Sequence, residues 1–214
     1  MFKIKPKEFR ILNIVYNHVR ANLKAYIIVS LMFLVGIFLG VMVLNNTKDD
    51  QKEEISDYIN NYIKQTKDTK AINTTETLKN SIRENIILAV GLWLAGTTLI
   101  GMPIVFGIIL FRGFCLGYTI SACTYTMGLS KGAAFILISL LLQNIFLIPA
   151  ILALGVSGIK LYKSVMKDKR KENIKVEILR HTIFSSLMMG VLIFSSIVKI
   201  NISGGMLETL IKYF

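Results

Sequence analysis

Long uncharged, apolar blocks alternate with basic or mixed polar segments along this chain. A helix needs about 20 apolar residues to cross a hydrocarbon core of about 30 Å. Four blocks free of Asp, Glu, Lys and Arg approach or exceed that length: Ala25–Leu44, Ile86–Phe111, Gly113–Ser130 and Gly132–Ile159. A fifth block, Thr182–Val198, is at the lower limit. The pattern predicts an all-α integral membrane protein with about five transmembrane helices.

A single guanidinium, that of Arg112, separates the second block from the third. Because an Arg at the bilayer centre costs several kcal/mol, the sequence favours a cytoplasmic turn at Arg112 between two antiparallel helices. The alternative is a charge buried inside one helix. That alternative leaves four spans, which would place the two strongly basic segments of the chain on opposite sides of the membrane.

The two basic segments are residues 1–24 and 160–181. The positive-inside rule assigns both to the cytoplasm, and five spans satisfy that assignment. The predicted organisation is a cytoplasmic or interfacial segment (1–24), TM1 (25–44), an extracytoplasmic helical loop (45–85), a TM2–TM4 core (86–159), a basic cytoplasmic connector (160–181), TM5 (182–198) and an extracytoplasmic tail (199–214).

Two of the water-facing segments show helical periodicity. Polar residues recur every three or four positions from Arg10 to Lys24, which predicts a basic amphipathic helix lying against anionic lipids of the inner leaflet. In the outer loop an apolar stripe at the same spacing predicts a second helix that needs a surface to pack on. The members of this stripe, the candidates for docking a partner protein, are Ile55, Tyr58, Ile59, Tyr62 and Ile63.

Glycine and proline are concentrated in the second and third blocks. Pro103 removes a backbone donor, so a kink or break is predicted near Gly101–Pro103 in the second span. Gly113 and Gly117 follow at the start of the third block. Small residues at this density favour a tightly packed helical pair.

Two adjacent carboxamides, Gln143 and Asn144, fall within the fourth block, with Pro149 beyond them. Such groups need hydrogen-bond partners in hydrocarbon and should face other helices or a second subunit. A homodimer is expected, formed through these carboxamides or through the helix–helix interface of the GxxxG pair Gly36 and Gly40. Alternatively, the carboxamides line a substrate path in a transporter or flippase, although no Asp, Glu or Lys lies in any predicted span.

Groups that could carry catalysis are sparse. The chain has no HExxH, GxSxG, phosphate-binding loop or CxxC, and His18 and His181 fall in basic flanks, where we interpret them as solvated. No catalytic residue, metal ligand or cofactor site is predicted, so the protein is predicted not to be an enzyme. The net charge of +12 flanks apolar blocks, which favours lipid head groups over nucleic acid as its partner.

Two stretches carry a family resemblance: LIGMPIVFGIILFRGFCLGYTISACTYTMG (Leu99–Gly128) and LQNIFLIPA (Leu142–Ala150). Together with the basic N-terminal segment and the outer loop of about forty residues, they resemble the stage II sporulation protein M family of endospore-forming bacteria. Leu142 departs from the pattern, since many relatives have proline there. The motif residues are Gly101, Pro103, Arg112, Gly113, Gly117, Gln143, Asn144 and Pro149.

The resemblance implies a multi-pass protein of the mother-cell membrane at the sporulation septum and the engulfing membrane. It also implies a non-catalytic scaffold that localises two peptidoglycan-cleaving partners, stage II sporulation proteins D and P, for septal wall thinning and engulfment. These partners follow from the resemblance alone, because no residue pattern identifies them.

Overall fold

The computed structural model describes residues 16–68, 74–98, 100–136, 142–167 and 171–211. Residues 16–21 are helical, and residues 1–15 of the predicted amphipathic helix lie outside the description. The further helices are α1 Leu23–Asn45, α2 Asp49–Asp68, α3 Thr74–Thr97, α4 Gly101–Met127, α5 Leu129–Ile136, α6 Leu142–Lys167 and α7 Lys171–Ile211. No strand occurs in the described part, which confirms the all-α prediction.

Four of these helices contain a stretch long and apolar enough to cross a membrane: Leu23–Asn45, Gly101–Met127, Gln143–Met166 and Ile174–Ile200. The multi-pass membrane architecture is therefore confirmed, and the prediction of about five spans is close. α3 is the fifth long helix of the bundle. Its first half is polar, and only the half from Ile86 to Thr97 is apolar.

α6 is the central helix of the bundle. It contacts α1, α3, α4 and α7. In its most apolar stretch 61% of the residues are buried, against 28% in the corresponding stretches of α1, α4 and α7. Leu147, Ile151 and Leu154 of α6 belong to the hydrophobic core. The outer helices expose apolar side chains such as Leu31 and Phe38, as expected for surfaces that face lipid.

α1 and α4 run parallel with their backbones in contact. Each of four glycines lies where an added Cβ would overlap a backbone carbonyl oxygen of the other helix: Gly36 at Leu110, Gly40 at Phe114, Gly113 at Phe33 and Gly117 at Ile37. Small residues at the interface are what allows two helices to approach this closely in a membrane. The GxxxG pair of α1 thus lies between two helices of one chain, and the expected homodimer stays a prediction.

The chain reverses between α3 and α4 at residues 98–100, directly before Gly101. Gly101 is required there, because a Cβ would overlap the carbonyl oxygen of Ala95. Pro103 falls in the first turn of α4, where its missing N–H leaves no intrahelical bond unmade. The predicted break near Gly101–Pro103 is confirmed, and it takes the form of a turn.

Arg112 does not mark a turn. α4 continues without interruption from Gly101 to Met127, and Arg112 lies inside it, so the turn prediction is wrong. The physical reason is that glycine and proline set the reversal just before Gly101, which is itself eleven residues before Arg112. The charge was the misleading signal.

The described parts of the two basic segments, residues 16–24 and residues 160–167 and 171–181, nevertheless meet at one end of the bundle, which we name the basic end. The ring of His18 stacks on Phe184 with centroids 4.3 Å apart, and Lys160 and Arg180 line the same cleft as His18. Of the two alternatives for Arg112, the one inside a helix is the one found. The objection that it would put the two basic segments on opposite sides does not hold, because the turn before Gly101 supplies the reversal that a turn at Arg112 would have supplied.

α2 lies at the opposite end, which we name the α2 end. Its Ser56 hydroxyl is 3.0 Å from that of Thr126, at the end of α4. Beyond Gly128 the chain returns toward the basic end through α5 and α6. α7 then runs from the basic end over 41 residues, about 60 Å, so that the end of the connector, TM5 and most of the tail form one helix.

We predict that Gly113→Ala destabilises the protein, because the added methyl overlaps the α1 backbone, whereas Gly107→Ala in the same helix does not. A Cβ at Gly107 meets nothing within 4 Å. Overpacking of this kind costs about 1–3 kcal/mol. The difference is measured by heating each variant in detergent and monitoring the loss of its monodisperse peak on size-exclusion chromatography. The midpoint is the temperature at which half of the peak is lost. Equal midpoints for the two variants would contradict the α1–α4 packing.

Candidate functional site: a charged cavity inside the bundle

A polar cavity of about 160 Å³, which we name the charged cavity, lies between the helices of the bundle and is partly open, since Glu84 and Thr119 in its lining are exposed. All five long helices contribute to its wall, with Phe33 coming from α1. Its polar lining comprises Glu84 of α3, Arg112 and Thr119 of α4, Gln143 and Asn144 of α6, and Lys199 of α7.

Arg112, in the wall of this cavity, lies near the middle of the apolar span of α4, whereas Gln143 and Lys199 lie at the ends of the apolar spans of α6 and α7. It lies eleven residues after Gly101, or about 16 Å along the helix. The next residue, Gly113, contacts Phe33 of α1. Phe33 in turn is near the midpoint of α1, which runs from Leu23 to Asn45. Arg112 is therefore at about half the depth of the membrane.

The charged cavity holds two cations and one carboxylate. Lys199 interacts electrostatically with both Glu84 and Arg112, yet within the described residues no salt bridge of 4.0 Å or less joins the three groups. The charges therefore face a shared space instead of neutralising each other in direct pairs. Charged groups at this depth are tolerated where they face a water-filled cavity or a partner, and the cavity provides such a space.

An apolar groove between α3 and α4 adjoins the charged cavity. This α3–α4 groove has a volume of about 480 Å³, and Glu84 and Arg112 belong to its lining as well as to that of the charged cavity. The remaining lining is Ile87, Leu88, Gly107, Ile108 and Phe111. A polar compartment and an apolar one thus meet at Glu84 and Arg112.

The polar half of α3 connects the charged cavity to the α2 end. Its outward face carries the exposed side chains of Glu76, Lys79 and Arg83. Its inward face is held by Asn85, whose amide donates to the carbonyl oxygen of Leu192, at 3.1 Å, and to the Ser196 hydroxyl, at 2.8 Å. These hydrogen bonds fix α3 against α7 just below Glu84.

The two carboxamides singled out in the sequence reach the charged cavity from the first turn of α6. Gln143 is buried, and its backbone carbonyl oxygen accepts a hydrogen bond from the Ser195 hydroxyl of α7 at 3.4 Å. Asn144 is half-buried beside it. Pro149 lies farther along the same helix, inside α6. The carboxamides thus face other helices of the same chain.

Sequence reasoning missed Glu84 and Lys199, which stand just outside the predicted spans Ile86–Phe111 and Thr182–Val198. No Asp, Glu or Lys lies within a predicted span, yet Glu84 and Lys199 line the same cavity as the two carboxamides. The helices α3 and α7 continue past the apolar blocks. The sequence does contain one signal that the helix extends before Ile86. Ser81 and Asn85 are four positions apart, which places them on one face of a helix, and both are buried in α3.

The interpretation of the two histidines as solvated was also wrong. His181 is 3% exposed, and its Nδ1 lies 2.8 Å from the Ser157 hydroxyl. His18 is half-buried, stacked on Phe184, with its Nδ1 3.1 Å from the Tyr26 hydroxyl. Burial and then the positive charge of Lys160 lower the pKa of His18.

The predicted docking stripe on α2 is divided by packing. Ile55 and Ile59 are half-buried, whereas the ring of Tyr58 is 74% exposed. Lys52 of the same helix lies over the ring of Tyr125 in α4, 5.7 Å from its centroid. The side chains of Tyr62 and Ile63 lie outside the described residues.

This architecture defines a multi-pass α-helical membrane protein with charged groups inside its bundle. Residues 29–210 match the family model of stage II sporulation protein M. The chain belongs to that family, which confirms the resemblance seen in the sequence. Comparison with curated proteins and with solved structures gives no match.

We predict that Glu84→Gln destabilises the bundle, because Arg112 and Lys199 then repel each other without a compensating carboxylate. Adding Lys199→Gln should recover part of that loss, with a coupling of about 0.5 kcal/mol or more. Thermal unfolding of the single and double variants measures the coupling, and Glu76→Gln, on the exposed face of α3, is the control. Strictly additive changes would show that the three charges do not interact.

We also predict that acid releases residues 16–22 from the basic end. Because the folded-state pKa of His18 lies below its ordinary value of about 6.5, the docked segment is fully stable above that pH and loses stability as pH falls toward the folded-state pKa. Spin labels at Tyr16 and Lys163 report the separation by pulsed EPR. The distribution of distances between the two labels should broaden on acidification, and it should stay unchanged in His18→Phe. An acid-induced change of equal size in His18→Phe would exclude His18 as the cause.

Proposed function

We propose that this membrane protein, whose membership of the stage II sporulation protein M family implies a role in sporulation, acts as a non-catalytic scaffold. It would hold the peptidoglycan-cleaving stage II sporulation proteins D and P at the septum, for wall thinning and engulfment. The observation that carries this proposal is the position of α2, an amphipathic helix at the end of the bundle opposite both basic segments.

The charge distribution supplies the orientation in this proposal. Residues 16–24, the last part of α6 and the first part of α7 meet at the basic end, and positive segments stay in the cytoplasm. The N-terminus is then cytoplasmic, and α2 and the end of α7 lie on the wall-facing side, where peptidoglycan hydrolases act. The septal and mother-cell location belongs to the same proposal.

The form of α2 supports a docking role. One side is anchored on α4 by Ser56 and Lys52, which fixes the helix on the bundle. The other side presents Tyr58, a large aromatic of the type that dominates protein interfaces. A helix fixed in this way presents its outer face to a partner without first paying an ordering cost.

Co-purification tests the proposal. The tagged full-length protein is isolated in detergent from cells that produce both hydrolases, and recovery of each hydrolase is quantified. Tyr58→Lys should reduce recovery about fivefold or more, as expected when an exposed aromatic contact worth about 1–2 kcal/mol is lost. Asp57→Lys, the neighbouring exposed residue, introduces the same side chain and should retain recovery.

Two results would contradict the proposal at different levels. If Tyr58→Lys and Asp57→Lys recover the hydrolases equally, α2 is not the docking helix. If the unmodified protein recovers neither hydrolase under conditions that preserve its monodisperse elution, the scaffold function itself fails.

The charged cavity favours a second candidate function, a transporter or flippase. Transporters bind substrates near mid-depth, at polar groups within interrupted helices, and here α6 begins at the cavity with Gln143 and Asn144. Movement of labelled lipid between leaflets of reconstituted vesicles, absent in Arg112→Gln, would support it. Vesicles in which the protein moves no lipid would count against it.

A further inference from the structure

We propose that the charged cavity and the α3–α4 groove together bind one anionic phospholipid. The phosphate group would lie between Arg112 and Lys199, and an acyl chain would occupy the groove. The two compartments share Glu84 and Arg112, so one amphiphile can fill both without a gap. This inference rests on neither proposed function, since binding is measured apart from hydrolase recovery and lipid movement.

The charges of the cavity select the head group. Arg112 and Lys199 contribute two positive charges and Glu84 one negative charge, which leaves an excess of one. A phosphodiester with one negative charge balances that excess, whereas a dianionic phosphate monoester would overcompensate it beside the carboxylate. Guanidinium groups recognise phosphate oxygens through paired hydrogen bonds. The head group is therefore a singly charged phosphodiester of the phosphatidylglycerol kind.

Neutral polar groups complete the head-group compartment. Thr119, Gln143 and Asn144 line the cavity together with the charges. Hydroxyl and carboxamide groups both donate and accept hydrogen bonds, so they match the hydroxyls of a glycerol head group. A lipid ending in a quaternary ammonium would offer these groups no donor and would place a second cation near Lys199.

The groove suits a chain because its wall is apolar and open. Ile87, Leu88, Ile108 and Phe111 provide the apolar lining, and Gly107 leaves the floor clear, since a Cβ there would meet nothing within 4 Å. Its volume of about 480 Å³ lies within the range of small-molecule pockets. A large residue at position 107 would therefore occupy the groove while leaving the side chains that line the charged cavity unchanged.

The polar half of α3 offers a route to the cavity. Exposed side chains of Glu76, Lys79 and Arg83 follow α3 from its start toward Glu84. A head group moving along this face stays among polar groups, while its chains remain in the hydrocarbon. The bound lipid would therefore come from the leaflet at the α2 end.

Binding is tested on the full-length protein after delipidation in detergent. Native mass spectrometry titrations give Kd values for phosphatidylglycerol, for phosphatidylcholine of the same chain length, and for inorganic phosphate as a competitor. Phosphatidylglycerol should bind about tenfold more tightly than phosphatidylcholine, as expected when a charged hydrogen-bonded pair distinguishes the two. Inorganic phosphate should compete only weakly.

Four variants separate the head group from the chain. Arg112→Gln and Lys199→Gln should each weaken phosphatidylglycerol binding about tenfold and reduce its advantage over phosphatidylcholine. Gly107→Leu leaves every charge in place, and it should weaken both lipids without altering their ratio. Lys163→Gln removes one exposed charge at the basic end and should leave all Kd values unchanged.

Each contrary pattern overturns the proposal. Equal affinity for the two lipids would remove the anion selectivity. Full competition by inorganic phosphate, with no effect of Gly107→Leu, would make the cavity a free-anion site. A loss in Lys163→Gln as large as in Arg112→Gln would reduce binding to general attraction by a basic surface. If Arg112→Gln does not fold, Lys199→Gln and Gly107→Leu still decide the outcome.

Discussion

A charged side chain at half the depth of a membrane must be compensated, and the rest of this structure is arranged around that requirement. Arg112 lies inside an unbroken helix, where a guanidinium facing hydrocarbon would cost about 3 kcal/mol or more. The bundle surrounds it with a carboxylate, a second cation and two carboxamides, contributed by α3, α7 and α6. Compensation of the Arg112 charge therefore depends on the relative positions of four helices.

Close backbone packing is what brings those helices together. The four glycines of α1 and α4 allow the two backbones to touch, which sets the level of Arg112 beside Phe33. On the other side of the bundle, Asn85 binds the α7 backbone through the carbonyl of Leu192 and sets the level of Glu84. The polar contacts and the glycine contacts thus fix the depth of the cavity from both sides, with α6 as the common centre.

Four features could be predicted from the sequence: the all-α class, the number of spans to within one, the break before Gly101 and the family. Hydropathy and the special chemistry of glycine and proline act locally, so they can be read along the chain. The role of Arg112 could not be predicted from the sequence, because the groups that compensate its charge are distant in sequence. A charge between two apolar blocks also gives the same local pattern in a turn as in a helix. Glu84 and Lys199 were missed for a related reason: each stands one or two residues beyond an apolar block, and only tertiary packing shows that both helices continue past it. His181 was wrongly predicted to be solvated, because the basic residues near it in sequence give no sign of its contact with Ser157.

Accessibility of two introduced cysteines tests the continuity of α4 most directly. Thr98 lies at the turn on the basic end, and Phe111, which is 64% exposed, lies on the lipid-facing surface at half depth. In a variant lacking Cys115 and Cys123, a membrane-impermeant thiol reagent should label Thr98→Cys from the side of the N-terminal basic segment. It should leave Phe111→Cys unlabelled from that side. Labelling of Phe111→Cys from that side as fast as Thr98→Cys would restore the turn at Arg112 and contradict the charged cavity.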